Sequence, residues 1–142
     1  MLRIGKYLIP TIVILMLVAY GAGCNAAQVT DYANLVDNLG KAGATVVESA
    51  EKVTQPFFSV QGRVITVNGG DVQVFEYENA TTADTEAALV SPDGFSVGAS
   101  MISWVAPPHF YKAGKLIVLY VGDSESVIGA LEGALGSQFA GQ

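Results

Sequence analysis

Apolar residues recur at helical spacing in three parts of the chain, and these patterns predict three helices. The first begins at an N-cap on Thr30 or Asp31. The second spans residues 79–90, and the third spans residues 124–135 with Gly136 at its C-cap. Each predicted helix has one apolar face, so each is expected to pack that face on a common core.

Runs of β-branched and aromatic residues predict the strands. Residues 57–67 and 72–77 flank an Asn-Gly-Gly-Asp sequence, which is the clearest hairpin signal in the chain. Residues 101–106 predict a further strand, and the continuous apolar run at residues 116–121 predicts a central, buried one. Residues 44–47 are a candidate for a short edge strand.

Together these elements predict an α+β domain. We expect a two-layer sandwich, in which helices cover one face of an antiparallel sheet of four to five strands. The other face would then be open to water, a ligand or a partner. The order strand, turn, strand, helix occurs twice, with Gly70 and Gly114 in corresponding turns, which suggests an internal ββα duplication.

The first 23 residues differ in character from the rest of the 142-residue chain. Arg3 and Lys6 precede a nearly continuous apolar run at residues 8–20, and small residues follow it. This arrangement is typical of a secretory signal peptide, predicted here over residues 1–23. The alternative is an uncleaved N-terminal membrane anchor, although a helix that spans a bilayer needs about 20 apolar residues.

Cys24 is the only cysteine, which excludes a disulfide within the chain. A cysteine directly after Ala22 and Gly23 resembles the processing site of bacterial lipoproteins, where it becomes the N-terminus and carries acyl chains such as palmitate. The resemblance implies lipidation of Cys24. The small and polar residues that follow predict a short linker within residues 24–29, and the remaining length predicts a single domain over residues 30–142. Ordinary cleavage nearby, which would leave a free thiol, is the alternative.

The predicted mature chain is acidic. Without Arg3 and Lys6, five basic residues stand against thirteen acidic ones, so the formal charge is 5 − 13 = −8. A field of this sign disfavours binding to nucleic acid or to anionic lipid headgroups.

Residues that could perform catalysis are sparse. His109 is the only histidine, and the serines nearest to it in sequence do not lie in a Gly-x-Ser-x-Gly elbow. One histidine and one cysteine cannot supply the four ligands of a zinc site, and Asp123 and Glu125 lack the spacing of a calcium loop. Glu76 and Glu78 alternate on a predicted strand, which favours a solvated face over a glycosidase pair. The sequence therefore predicts no catalytic residue, metal or cofactor.

One segment favours a binding role, and it consists of Pro107, Pro108, His109, Phe110 and Tyr111. The prolines stiffen the backbone, and a rigid loop that presents aromatic side chains loses little entropy on binding. The alternative is that Phe110 and Tyr111 pack inward against Trp104, as most aromatic residues do.

Several stretches resemble an uncharacterised family of small bacterial exported or lipoprotein domains. They are QPFFSV at 55–60, VFEY at 74–77, SPDG at 91–94, WVAPPHFY at 104–111, LIVLYVGD at 116–123 and QFAG at 138–141. The resemblance covers residues 57–141 and implies export to the bacterial envelope. It implies no activity and no site residues, because that family has none assigned.

These patterns predict a non-enzymatic accessory domain, tethered to the membrane of the bacterial envelope, that binds an envelope protein or a small ligand. One alternative is an envelope enzyme with a site around His109, Tyr111 and a carboxylate brought close by folding. The other is a protein inhibitor that uses residues 107–111 as a plug.

Overall fold

The computed structural model describes residues 28–142, so the predicted signal peptide and Cys24 lie outside the described residues. The helices within this range are α1 (Tyr32–Lys41), α2 (Ala80–Ala87) and α3 (Glu125–Leu135). The strands are β1 (Val46–Val53), β2 (Gly62–Val67), β3 (Gly70–Glu76), β4 (Ser96–Val97), β5 (Ser100–Met101), β6 (Pro108–Ala113), β7 (Leu116–Val121) and β8 (Ala140–Gly141). Six strands form an antiparallel sheet in the order β1-β2-β3-β7-β6-β8, and β4 pairs with β5. The predicted α+β class is confirmed.

Helix α1 begins as its sequence predicts. The Asp31 carboxylate accepts a hydrogen bond from the Asn34 backbone N–H at 2.9 Å and thereby pairs a donor that the helix leaves free. Leu35 and Leu39, four residues apart, are fully buried against the sheet. Val29 is also buried, so the packed domain includes a residue that the sequence assigned to the linker.

The predicted β2–β3 hairpin is present, and its turn uses left-handed backbone conformations. Asn68 has φ +48° and Gly69 has φ +86°, which are values that these two residue types adopt more readily than others. Strand β2 begins only at Gly62, whereas the sequence predicted a strand from residue 57. Phe58 lies before it in a turn and is buried in the core.

Strand β1 is a longer edge strand than predicted, and it is irregular. Glu48 pairs with Ile65 and Lys52 pairs with Arg63, so four steps along β1 match two along β2. The two extra residues form a bulge in the exposed middle of the strand. Bulges and charged side chains at an edge disfavour pairing with another chain.

The predicted strand at residues 101–106 is wrong beyond Met101, which belongs to β5. Residues 102–106 are not a strand, and the strand of this region is β6, which starts at Pro108 and pairs with β7 along its whole length. Proline is tolerated at the first residue of a strand, where the ladder does not need its missing N–H. The predicted strand at residues 116–121 is confirmed as β7, a central and buried strand.

Both faces of the sheet are covered, which corrects the prediction that helices lie on one face and leave the other open. Helices α1 and α3 pack on the first face, where the core includes Ile65, Val72, Val74, Tyr111, Val118 and Leu131. Helix α2 and the segments around residues 57–60 and 90–104 pack on the second face, where the core includes Phe58, Phe75, Tyr77, Phe110, Ile117 and Leu119. The side chains of β3, β6 and β7 alternate between the two cores.

The two hairpin-then-helix units occur in the predicted order but differ in placement. Helix α2 follows β2–β3 and lies on the second face, whereas α3 follows β6–β7 and lies on the first. A two-fold repeat of antiparallel hairpins in one sheet would place both helices on the same face, so the arrangement does not support duplication. Between residues 28 and 142, each helix is too short or too polar to cross a bilayer.

Candidate functional site

The segment predicted to contact a partner lies inside the protein. Pro107 is half-buried, and Pro108, His109, Phe110 and Tyr111 are buried within β6. Phe110 points into the second-face core and Tyr111 into the first-face core, and neither has exposed surface. The inward-packing alternative is therefore observed. The use of residues 107–111 as a contact loop or an inhibitory plug is wrong, because these side chains cannot reach a partner.

His109 stabilises the fold through both ring nitrogens. Its Nε2 donates to the Gly122 carbonyl oxygen at 2.9 Å, since a carbonyl can only accept. Its Nδ1 lies 2.6 Å from the Gln138 side-chain amide, and its ring stacks on Tyr120 with centroids 5.9 Å apart. None of these partners is a carboxylate, and the ring is 4% exposed. The arrangement does not support the alternative of an enzyme site around His109.

The Tyr111 hydroxyl is buried without a hydrogen-bond partner. Burial raises the pKa of Tyr111 to about 12, and the charge of Glu132 adds to the rise. At neutral pH the hydroxyl is fully protonated, so it does not serve as a base.

A hydrogen bond between a carboxylate and a tyrosine joins three segments of the second face. Glu86 of α2 accepts a hydrogen bond from the Tyr77 hydroxyl at 2.6 Å and one from the Ser59 backbone N–H at 3.1 Å. Burial raises the pKa of Glu86, but the bonds from Ser59 and Tyr77 outweigh it and lower the pKa below its usual value. Glu86 thus fixes α2 and the segment before β2 to the sheet. The part of the chain that the structure describes holds no group of three or more potential metal ligands.

A shallow groove of about 410 Å³ lies where the end of α1, the β2–β3 turn and α3 meet. Gly43, Gly129 and Gly133 line it, and a Cβ atom built on any of them would meet no other atom within 4 Å. Glu125 supplies its carboxylate and Asn68 its side-chain amide, which already donates to the Ser126 carbonyl oxygen. Ligand sites use a few polar groups that point toward the ligand to select it. This groove is lined mainly by small residues and has no such set of polar groups, so it is a poor candidate for a specific ligand site.

The most exposed large apolar side chains belong to a different segment, which we call the uncharged loop (residues 95–107). These thirteen residues contain no Asp, Glu, Lys or Arg. Met101 is 90% exposed and Val105 is 99% exposed. Isolated apolar residues are common on surfaces, but two free-standing side chains on a stretch without charge are a candidate contact surface.

The inward-facing side chains and backbone of the uncharged loop contact the rest of the domain. Trp104 is half-buried and lies between Phe57 and Phe110, with ring centroids 6.1 and 6.0 Å away. Its indole N–H donates to the Gly94 carbonyl oxygen at 2.8 Å, and the Ile102 N–H donates to the Phe95 carbonyl oxygen at 2.9 Å. Because Ile102 and Trp104 face inward, the alternate residues Met101 and Val105 face solvent.

Sequence reasoning missed this surface because Met-Ile-Ser-Trp-Val-Ala has no clear polar and apolar alternation from which to assign an outer side. The available signal was the long stretch without charge in a chain whose predicted mature charge is −8. No protein family, curated protein or solved structure was found to match the chain. The resemblance to exported bacterial domains therefore stays a prediction.

Proposed function

We propose that the chain is an exported, lipid-anchored accessory domain of the bacterial envelope that acts by binding, with the uncharged loop as its contact surface. The observation that carries the proposal is the near-complete exposure of Met101 and Val105 on a segment without charge. Burying an apolar side chain of this size stabilises a complex by about 1.5–3 kcal/mol, so the loop gains free energy from any partner that covers it.

The tether is supported by the start of the sequence. Arg3, Lys6 and the apolar run at residues 8–20 favour export, and Cys24 follows small residues as in bacterial lipoproteins. Three residues lie between Cys24 and the first described residue, Gln28, and the four residue-to-residue steps span at most about 14 Å. A lipid on Cys24 would therefore hold the domain close to the membrane and raise its effective concentration for partners there.

The inhibitor and enzyme alternatives each require a geometry that the described residues do not have. An inhibitory plug needs protruding aromatics, and Phe110 and Tyr111 have no exposed surface. An enzyme site at His109 needs a free ring nitrogen, and both nitrogens are bonded within the fold.

The tether is tested by expressing the full chain and its Cys24→Ser variant in a bacterium. Membranes are separated from soluble fractions, and the N-terminal peptide is examined by mass spectrometry. We expect acyl chains on Cys24 of the wild type and an unacylated, uncleaved chain for the variant. A membrane-bound wild type that retains residues 1–23 and has no acyl group would establish the uncleaved anchor instead.

The contact surface is tested by a photoreactive residue placed at Met101 in the membrane-bound protein. We expect crosslinks to a defined envelope component from this position. The matched control is the same residue at Val47, which is 55% exposed but lies on edge strand β1. Equal crosslinking from both positions would contradict a specific role for the uncharged loop.

A further inference from the structure

We propose that Met101 is an oxidation site, at which a peroxide converts the thioether to a sulfoxide and thereby weakens the contact made by the uncharged loop. The oxidation itself follows from the position of this side chain and of its competitors in the domain. Its regulatory effect rests on the proposed function, because it alters the surface that we assign to binding.

Met101 is the only sulfur-containing side chain among residues 28–142. The other two methionines, Met1 and Met16, and the cysteine, Cys24, precede this range. Sulfur is the side-chain atom that mild oxidants attack most readily, and its susceptibility follows exposure. A peroxide that meets the described domain therefore has one sulfur atom to react with, on a side chain that is 90% exposed.

The other oxidisable side chains of the described domain are shielded. The Trp104 indole is half-buried between Phe57 and Phe110, and its N–H donates to the Gly94 carbonyl oxygen at 2.8 Å. His109 is 4% exposed. The tyrosines within residues 28–142 are at most 8% exposed, and they are Tyr32, Tyr77, Tyr111 and Tyr120. Oxidation should therefore be confined to Met101.

The reaction transfers one oxygen atom. The Met101 Sδ attacks one oxygen of hydrogen peroxide, so an S–O bond forms and the O–O bond breaks. The sulfur loses two electrons and the peroxide gains them, and the departing hydroxide takes the proton from the new S–OH group and leaves as water. Export would place Met101 outside the reducing cytosol, where a peroxide reaches it directly.

The backbone keeps the oxidised side chain on the same surface. Met101 pairs with Ser96 across β4 and β5, and the N–H of the next residue, Ile102, donates to the Phe95 carbonyl oxygen at 2.9 Å. Because the Met101 side chain touches little of the protein, its oxidation should leave the fold intact.

The chemical character of the surface changes most at this position. The uncharged loop has no ionised side chain of its own, so a sulfoxide turns its most exposed thioether into a strongly polar acceptor. A partner that covers the loop would then have to remove water from that oxygen. We expect the contact to weaken about tenfold, since burying a polar group without a hydrogen bond is costly.

The site is tested on the full chain, purified after expression in a bacterium and treated with hydrogen peroxide. Peptide mass spectrometry should find one added oxygen atom on the peptide that contains Met101. The matched control, Met101→Leu/Leu119→Met, moves the methionine to the buried strand β7 by swaps that conserve volume. Its methionine should oxidise at least about tenfold more slowly. Equal rates in the two proteins, or earlier oxidation at Trp104, overturn the site.

The effect on binding is tested with a photoreactive residue at Ser103, which is exposed between Met101 and Val105. The protein is oxidised, freed of peroxide and mixed, well below saturation, with membranes from cells that lack it. Oxidation should lower the yield of the main crosslinked component about tenfold, and methionine sulfoxide reductases should restore it. Met101→Leu cannot form a sulfoxide, so the same treatment should not change that variant's own yield.

The outcomes separate this inference from the proposed function. An unchanged yield after complete oxidation of Met101 overturns the regulation and leaves the contact surface intact. An equal loss in the wild type and in Met101→Leu does the same, because it assigns the effect to another residue. Absence of any defined crosslink from the untreated protein contradicts the proposed function and the regulation together, while the oxidation site is decided by the mass spectra alone.

Discussion

Strand β6 and the uncharged loop adjoin in the chain and are both rich in apolar residues, yet they have opposite surroundings. In β6, Phe110 and Tyr111 are fully buried, whereas in the loop Met101 and Val105 are almost fully exposed. The difference arises from the strands and helices that pack around each segment. Strand β6 lies between β7 and β8 and has a packed layer on each face, while β5 pairs only with the two-residue strand β4.

This contrast teaches that residue type alone does not identify a contact surface. The aromatic character of β6 suggested a display of side chains, but aromatics contribute most to stability when they are inside. The less conspicuous Met and Val of the loop face solvent because Ile102 and Trp104 occupy the inward side of the same stretch. The two regions should therefore respond to substitution in opposite ways.

The largest effect is expected in β6. Phe110→Ala removes a ring that contacts Trp104, Phe58 and Phe139, and the cavity it leaves should lower the free energy of unfolding by about 3–5 kcal/mol. Urea unfolding followed by circular dichroism measures the loss. Phe139→Ala, which truncates a partly exposed ring, is the matched control and should cost less. A loss below about 1 kcal/mol for Phe110→Ala would contradict the buried position of β6.

A smaller effect of opposite sign is expected one residue later. Tyr111→Phe removes a buried hydroxyl that has no hydrogen-bond partner, so it should raise the free energy of unfolding by about 1 kcal/mol. The gain is measured as a higher urea midpoint at neutral pH. A lower midpoint would show that the hydroxyl has a stabilising partner.

The same variant should also alter the response to alkali. Folding raises the pKa of Tyr111 from 10.0 to about 12, mainly through burial. Folding therefore disfavours the ionised hydroxyl, so the stability is unaffected by this group below the unfolded pKa and falls as the pH rises from the unfolded to the folded pKa. Between pH 10 and about 12 the wild type should lose more stability than Tyr111→Phe. Equal losses in both proteins would assign the alkaline transition to other groups.

The smallest effect on stability is expected in the uncharged loop. Met101→Ser with Val105→Ser alters side chains that touch little of the protein, so the free energy of unfolding should change by no more than about 0.5 kcal/mol. The same urea titration compares it with Phe110→Ala. A loss of similar size in the two proteins would remove the contrast between loop and strand.

Much of the local structure was predictable from the sequence. The Asp31 cap of α1, the Asn68-Gly69 turn and the buried strand β7 depend on interactions among neighbours in the chain, which short patterns encode. The start of β6 was missed because Pro107 and Pro108 suggested a break. Pro108 is accommodated at the first residue of β6, where its partner is Val121, and no local pattern reveals that pairing.

The sequence by itself determined the three helices, the β2–β3 hairpin, the apolar side of α1, the buried strand β7, and an acidic composition with a single histidine. Only the tertiary structure decided that α2 covers the second face of the sheet, that Phe110 and Tyr111 enter different cores, and that Met101 and Val105 remain outside. The physical reason is that the chemistry of a side chain sets how much free energy its burial would contribute to stability. The availability of that burial depends on which distant strands and helices pack around it.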